Sequence, residues 1–412
     1  MHTTNLRHGL KLVPLALALG FAISTPAKAD PAGTACWVFN ATTGEWETDT
    51  TADRTQGSEH GDANTTCAAN ASAYGDRNNA SGTGSTAVGG SNIARGSSST
   101  AVGDRNTASG VQSSAIGHRN TAVAQNSAAV GTSNTAESGA AFGISNASSG
   151  TYANAFGWQN TASGGNANAF GYSNTASGAG SVAFGANNQA AGGSASAVGY
   201  RNTVGNSLAS AFGYMNEITA NNATAIGYMN DVSGSGGNAF GHGNEVTGNG
   251  GNAFGMNNVA AGERSSAFGW QNTASGVRSS AFGYDSTAAG YQSLAMGLSA
   301  EATGYEAIAI GRNATVLADG ATGATSTASI ALGVNTEVTA DATNSVALGA
   351  QSVADAANTV SVGSADNLRR ITNVGDATGG TDAVNLRQLQ AALDGVVGGG
   401  GGTITPEEIR EL

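Results

Sequence analysis

The sequence predicts an all-β solenoid built from coils of 14 residues, and three observations carry that prediction. A glycine recurs at a spacing of 14 along most of the 412 residues. An asparagine follows that glycine at a constant distance of three residues. The two residues before it are both apolar, which marks a strand buried on both of its faces.

The glycine belongs to a unit of small residue, Ala, large apolar residue and Gly, as in Ser280-Ala281-Phe282-Gly283. It stands at Gly75, Gly89, Gly103, Gly117 and Gly131, shifts by 12 to Gly143, and then holds a spacing of 14 to Gly311. Gly333, Gly349 and Gly363 follow at spacings of 22, 16 and 14, which makes 21 copies. Self-similarity at a constant period is the mark of a repeat architecture. Fourteen residues are too few for a helical hairpin and fit one coil of two short strands and two turns. Asn holds its place in the first 15 copies, from Asn78 to Asn272. Gly and Asn tolerate the left-handed backbone of tight corners, so both are expected there. Asn side chains in register would also bond one another, or the turn backbone, from coil to coil.

Neighbouring side chains of a strand point to opposite faces. Pairs such as Ala155 and Phe156, Ala225 and Ile226, or Ala347 and Leu348 are therefore apolar on both. One face closes a narrow interior. The other would leave a stripe of Phe, Val and Ile bare, which soluble monomers rarely expose, so self-association is expected. At about 4.8 Å per coil the copies would stack into a rod about 100 Å long, without a cleft.

The N-terminus has a different character. Arg7, His8 and Lys11 lead into an apolar stretch over residues 12–23, then Ala27-Lys28-Ala29. This is the pattern of a secretory signal peptide over residues 1–29. Twelve apolar residues fall short of the roughly 20 that span a bilayer, and no other segment comes closer, so no membrane insertion by this chain is expected. The segment 30–67 holds the two cysteines, Cys36 and Cys67. In an exported protein they read as one disulfide, contributing about 3–4 kcal/mol in the chain-entropy model. A metal pair would need shorter spacing and histidine partners. After residue 29 the chain has 13 arginines and no lysine against 28 acids. So acidic a surface disfavours nucleic acid and anionic membranes as partners.

Beyond the last repeat come N-L-R-R-I-T-N-V over residues 367–374 and T-D-A-V-N-L-R-Q-L over 381–389. A 14-residue head repeat followed by this segment resembles the YadA-like trimeric autotransporter adhesins, with a head over 68–363 and a neck with the start of a coiled coil over 364–397. The resemblance implies a left-handed parallel β-roll and a homotrimer wound about one axis. It also implies a non-catalytic adhesin without cofactor on the cell surface or outer membrane of a Gram-negative bacterium, one associated with virulence. Its partners would be an extracellular matrix protein, a glycan or an abiotic surface. Within the neck, Leu386, Leu389, Leu393 and Val396 follow the spacing of an a/d seam. The neck candidates are Arg369, Arg370, Asn373, Asp382, Asn385, Gln388 and Leu389. Arg369 and Arg370 beside Asp366, Asp376 and Asp382 read either as inter-chain ion pairs or as solvated surface charge. The family's collagen-contacting motif N-S-V-A-I-G-x-x-S is matched, with Leu for Ile, by Asn344, Ser345, Val346, Ala347, Leu348, Gly349 and Ser352. A glycine-rich linker and a helix start at Thr405-Pro406-Glu407-Glu408 fill residues 398–412. No run of amphipathic strands for an outer-membrane barrel is visible, so the expectation is either a truncated sequence or a stalk and anchor that lie elsewhere.

Catalytic chemistry has no visible home. His60, His118 and His242 read as solvated repeat positions, and Glu137, Glu217, Asp231, Glu245 and Glu263 as acids scattered singly. The position after the repeat glycine is more informative. It reads Trp158, Tyr172, Tyr200, Tyr214, Tyr228, His242, Met256, Trp270 and Tyr284. These side chains either pack at a trimer interface or form an exposed ladder, whose candidate ligand contacts are Tyr172, Tyr200, Tyr214, Tyr228, Trp270 and Tyr284. A purely structural or an ice-binding solenoid is the alternative, resting on Thr107, Thr121, Thr135, Thr161 and Thr175. That ladder is interrupted by Glu217, Asp231 and Glu245.

Overall fold

A computed structural model of the chain describes residues 36–40, 45–49, 57–318 and 328–398. The expected signal peptide and the linker and helix start after Gly398 lie outside these residues. The chain divides into two compact units, Met1–Asn257 and Asn258–Leu412.

In the first unit each coil contributes one long strand, usually of five residues such as Asn168–Tyr172, and one short strand of two, such as Thr175–Ala176. Like strands of successive coils pair in parallel and in register, with Ala155 opposite Ala169, Phe156 opposite Phe170 and Gly157 opposite Gly171. The 12-residue spacing is absorbed without loss of register, since Ala129 still faces Ala141 and Gly131 faces Gly143. The two missing residues come out of the turn between Thr135–Ala136 and Gly139–Ile144. The ladder begins one coil ahead of residue 68, because Ser58–Asp62 pairs with Ser72–Asp76. That coil escapes the pattern because Glu59 stands at the Ala position, where its carboxylate accepts bonds from the N–H and Oγ1 of Thr66. An antiparallel hairpin, Cys36–Asn40 with Glu45–Asp49, precedes it in sequence. Cys67 is disulfide-bonded, and Cys36 is the chain's other cysteine.

The interior is narrow because it is lined by alanine. Ala73, Ala87 and Ala101 from the long strands face Ala80, Ala94 and Ala108 from the short ones, all without exposed surface. Each buried methyl contributes about 0.8 kcal/mol, so stability accumulates with coil number. Val232 and Val246 replace the short-strand alanine further on, and the interior makes room with Gly237. A Cβ there would come within 2.8 Å of Val246 Cγ1 and 3.1 Å of Val232 Cγ1.

The corner chemistry differs from expectation in one respect. The left-handed residue is not the asparagine but the one before it, as at Arg77 (φ 56), Arg105 (φ 58) and Gln159 (φ 58). The asparagine turns inward and is fully buried. Asn160 donates from Nδ2 to Asn146 Oδ1 (3.0 Å), Phe156 O (2.9 Å) and Gly171 O (2.7 Å), and from its backbone N–H to Asn146 Oδ1 (3.0 Å). The same set repeats from Asn92 to Asn244, so the expected stacking bonds are present along the first unit. The repeat glycine is required by its backbone and by space. Gly157 has φ 120, and a Cβ on it would lie 2.1 Å from the carbonyl oxygen of Gly171.

The second unit opens in the same pattern with Ser266–Trp270 and Ser280–Tyr284. The asparagine position then passes to Ser286, Ala300, Ala314, Thr336 and Ser352. The long strands shorten to three residues at Ile308–Ile310, Ile330–Leu332 and Val346–Leu348. Ser286 keeps part of the bond set through its Oγ, whereas Ala300 and Ala314 have no side-chain donor to supply it. A neck segment follows, then one helix, Leu386–Gly398, which runs one residue into the expected linker. Among the described residues no helix is long and apolar enough to cross a membrane.

Candidate binding surface

Alternation along the long strand sends the residues before and after the repeat glycine to the same outer face. The outer surface therefore carries two parallel stripes, set two residues apart. In the first unit one stripe stacks Phe142 on Phe156 (4.8 Å, 2°) and Phe156 on Phe170 (5.1 Å, 15°). The other stacks Tyr200 on Tyr214 (5.2 Å, 19°) and Tyr214 on Tyr228 (4.8 Å, 3°), and sets His242 edge-on to Tyr228 (4.7 Å). Tyr172 meets Trp158 edge-on at 5.3 Å, and Ala186 interrupts the stripe between Tyr172 and Tyr200. In the second unit Trp270 meets Tyr284 at 5.1 Å and 83°. Within the single chain Tyr172, Tyr214, Tyr228, Trp270 and Tyr284 are exposed, and Tyr200 is half-buried. So are Phe184 (56%), Phe212 (40%) and Leu348 (44%) of the neighbouring stripe.

The outer side of the short strands carries the threonines. Thr107, Thr121 and Thr135 are in register, as are Thr161 and Thr175, with Ala147 between the two groups. Further on, Glu217 lies beside Asp231 and Asp231 beside Glu245 on successive coils. These acids are not scattered, as expected from sequence, but stacked. The signal was present in their spacing of 14. Asp231, in the middle, has its carboxyl pushed above the ordinary value, first by desolvation between its neighbours and then by the charges of Glu217 and Glu245. The histidines lie on different coils: His118 Nε2 is 3.3 Å from Asp104 Oδ2, and His242 belongs to the tyrosine stack.

Of the collagen-like motif, Ser345, Ala347 and Ser352 are buried. Ser345 Oγ donates to Ala356 O (2.8 Å) and accepts the Thr359 N–H (3.0 Å), and Ser352 Oγ donates to Leu348 O (2.7 Å). Gly349 has φ 97. Only Asn344, Val346 and Leu348 present side chains outward, and Asn344 Nδ2 donates to Asn358 Oδ1 (2.8 Å).

The neck folds onto its own chain. Arg369 donates to Ser352 Oγ (2.9 Å), Val362 O (2.7 Å) and Ala350 O, closing the open edge of the last coils. Asp376 pairs with Arg387 and accepts from Asn385 Nδ2 (2.7 Å), so its carboxyl titrates below the ordinary value. Asp382 is held low as well, by the N–H groups of Gly379 (2.8 Å) and Thr378 (2.9 Å). Asn385 is the helix N-cap, its Oδ1 accepting the Gln388 N–H at 3.0 Å. Gln388 ties back to Ala377 through the N–H and carbonyl of that residue. Asn373 is left-handed (φ 63) and Arg370 is exposed. The acids expected opposite Arg369 and Arg370 thus include two with other partners in their own chain. Leu368, Ile371, Val384, Leu386 and Leu389 remain exposed.

Eight segments match the family model described as the YadA head domain repeat: residues 80–106, 108–134, 162–188, 176–202, 260–286, 274–300, 302–322 and 340–365. Residues 370–406 match the model for the coiled stalk of trimeric autotransporter adhesins. Together the two models cover more than half of the chain. The crystal structure of the collagen-binding domain of the Yersinia adhesin YadA is also similar, at 21% identity over 58% of this chain and 84% of that one, with a TM-score of 0.19. No curated protein matches the chain.

Proposed function

Because the chain belongs to the trimeric autotransporter adhesins, with their YadA-type head repeats and stalk, we propose that it is the head and neck of a homotrimer that attaches a cell to a matrix protein, a glycan or an abiotic surface. Membership implies an exported protein at the cell surface, and the proposed Cys36–Cys67 disulfide suits that compartment.

The observation that carries this reading is the bare outer face. A stripe of Phe, Val and Ile over most coils, with Met296, Leu332 and Leu348 on later ones, is a larger apolar patch than a soluble monomer maintains. In our reading three chains bury that stripe against one another, and the exposed neck residues Ile371, Val384, Leu386 and Leu389 join the same interface. The tyrosine stripe ends each long strand, next to the left-handed corner, so we assign it to the outside of the trimer. There Tyr and Trp supply rigid, amphipathic contact area. Outward Asn344, Val346 and Leu348 are the part of the collagen-like motif open to such contact. The threonine register supports ice binding as a second reading. It covers three coils and then two, and the purified head is expected to give no thermal hysteresis.

The test is to replace Tyr200, Tyr214 and Tyr228 together with serine. Sedimentation is expected to show an intact trimer, and a screen against matrix proteins, glycans and plain plastic is expected to show lost attachment. Dissociation of the trimer would move the tyrosines to the interface and overturn the assignment.

A further inference from the structure

We propose that the corner at Met215 and Met229 is a docking site for a partner protein segment that presents arginine side chains beside an apolar anchor. The proposal rests on the reading above that this corner lies outside the trimer.

Met215 and Met229 both occupy the left-handed corner position, each with φ 54, on consecutive coils. In most other coils of the first unit that position holds polar side chains such as Arg77, Arg119, Gln159 and Asn187, with Ala63 and Gly243 as the exceptions. Here two thioethers are exposed, at 37% and 47%. They border the stacked rings of Tyr214 and Tyr228 on one side. Methionine adapts its shape to a partner, and tyrosine is among the residues that dominate binding energy.

On the other side of the same corner lie the stacked carboxylates of Glu217, Asp231 and Glu245, all exposed. Among the described residues no basic group is within ion-pair distance of any of them. The strands that carry them lie about 4.8 Å apart in register, a spacing that one planar guanidinium can bridge by bonding a carboxylate on each. Such a bridge also relieves the repulsion between them.

The fold supplies an example of the guanidinium half of this contact. One coil earlier the same corner position is Arg201, whose guanidinium carbon lies over the Tyr200 ring at 5.1 Å from its centroid. Where Met215 and Met229 follow, that place on the tyrosine stack is left to another chain. Arginine suits it better than lysine, because its head group is planar, weakly hydrated and able both to stack and to fork. Apolar surface and uncompensated charge at one corner thus specify the two halves of the partner.

The experiment uses the mature chain and a fluorescein-labelled peptide of alternating leucine and arginine, with its lysine and glutamate counterparts, at physiological salt. The arginine peptide is expected to bind several-fold more tightly than the lysine one, and the glutamate peptide not at all. Glu217→Gln, Asp231→Asn and Glu245→Gln together should weaken binding about tenfold or more. Met215→Gln with Met229→Gln should weaken it by about threefold to tenfold. Gln159 (φ 58) and Gln271 (φ 59) show that glutamine fits this backbone position. A control that removes three charges elsewhere, Glu263→Gln, Glu301→Gln and Glu337→Gln, should retain binding. Equal loss in control and test variants would overturn the site in favour of general attraction to an acidic chain, as would binding indifferent to the methionines. Sedimentation separates this failure from failure of the trimer reading: binding lost together with the trimer would place the corner at the interface and remove both.

Discussion

Replacing Asn160 with alanine removes one rung of the interior asparagine ladder, and the cost can be worked from its partners. Its Oδ1 accepts the backbone N–H and the Nδ2 of Asn174, both at 3.0 Å, and its Nδ2 serves Asn146 Oδ1, Phe156 O and Gly171 O. Alanine leaves the buried N–H of Asn174 without an acceptor and takes a donor from two carbonyls. At about 1–3 kcal/mol per buried group left unsatisfied, the loss over these three groups comes to about 3–9 kcal/mol. A solenoid is stabilised coil against coil, so this loss is local rather than global. Amide hydrogen exchange is the suitable assay. Exchange at Thr161, Asn174 and Thr175 should accelerate by about a hundredfold or more, since each 1.4 kcal/mol is about tenfold. Asn160→Ser should recover part of the protection. Ser286 stands at the equivalent position and donates its Oγ to Phe282 O (3.3 Å) and Gly297 O (2.8 Å). Unchanged exchange in Asn160→Ala would refute the ladder as a source of stability.

Three further outcomes are expected. Gly237→Ala should destabilise its coils by about 1–3 kcal/mol through overpacking, and Val246→Ala in the same chain should recover part of that loss in urea titrations. Charged Asp231 opposes folding, because its folded value is raised above 3.8. The penalty is absent below 3.8, grows as pH rises through that value, and is complete above the folded value. Thermal unfolding should therefore show these coils gaining stability as pH falls through this window, and Asp231→Asn should abolish the gain. Arg369→Ala should lower hydrogen-exchange protection over residues 346–363 by about 1–3 kcal/mol, whereas exposed Arg370→Ala should leave it unchanged.

The repeat was legible because its two constraints act on residue identity. Only glycine fits where a Cβ would strike the next coil's carbonyl, and the interior takes alanine from nearly every long strand and alanine, valine or isoleucine from most short ones. The first coil was hidden because Glu59 satisfies its place through hydrogen bonds instead of apolar packing. The corner was misassigned because a left-handed backbone at Arg77 or Met215 imposes no single residue type, while the asparagine one step on is selected by its amide bonds. The stacking of Glu217, Asp231 and Glu245 is implied by their spacing, yet it becomes a physical fact only once adjacent coils are known to pair in register. The partners of Arg369 are not encoded in any spacing, since two of the three are backbone carbonyls brought near by the end of the ladder.

We propose that the outer strand face, unfinished in one chain, is completed by two others. Sedimentation velocity of the mature chain at micromolar concentration tests it most directly. A single three-chain species is predicted, shifting to monomer and aggregate when Phe184 and Phe212 are replaced with glutamate. A monodisperse monomer with the apolar stripe intact would contradict it.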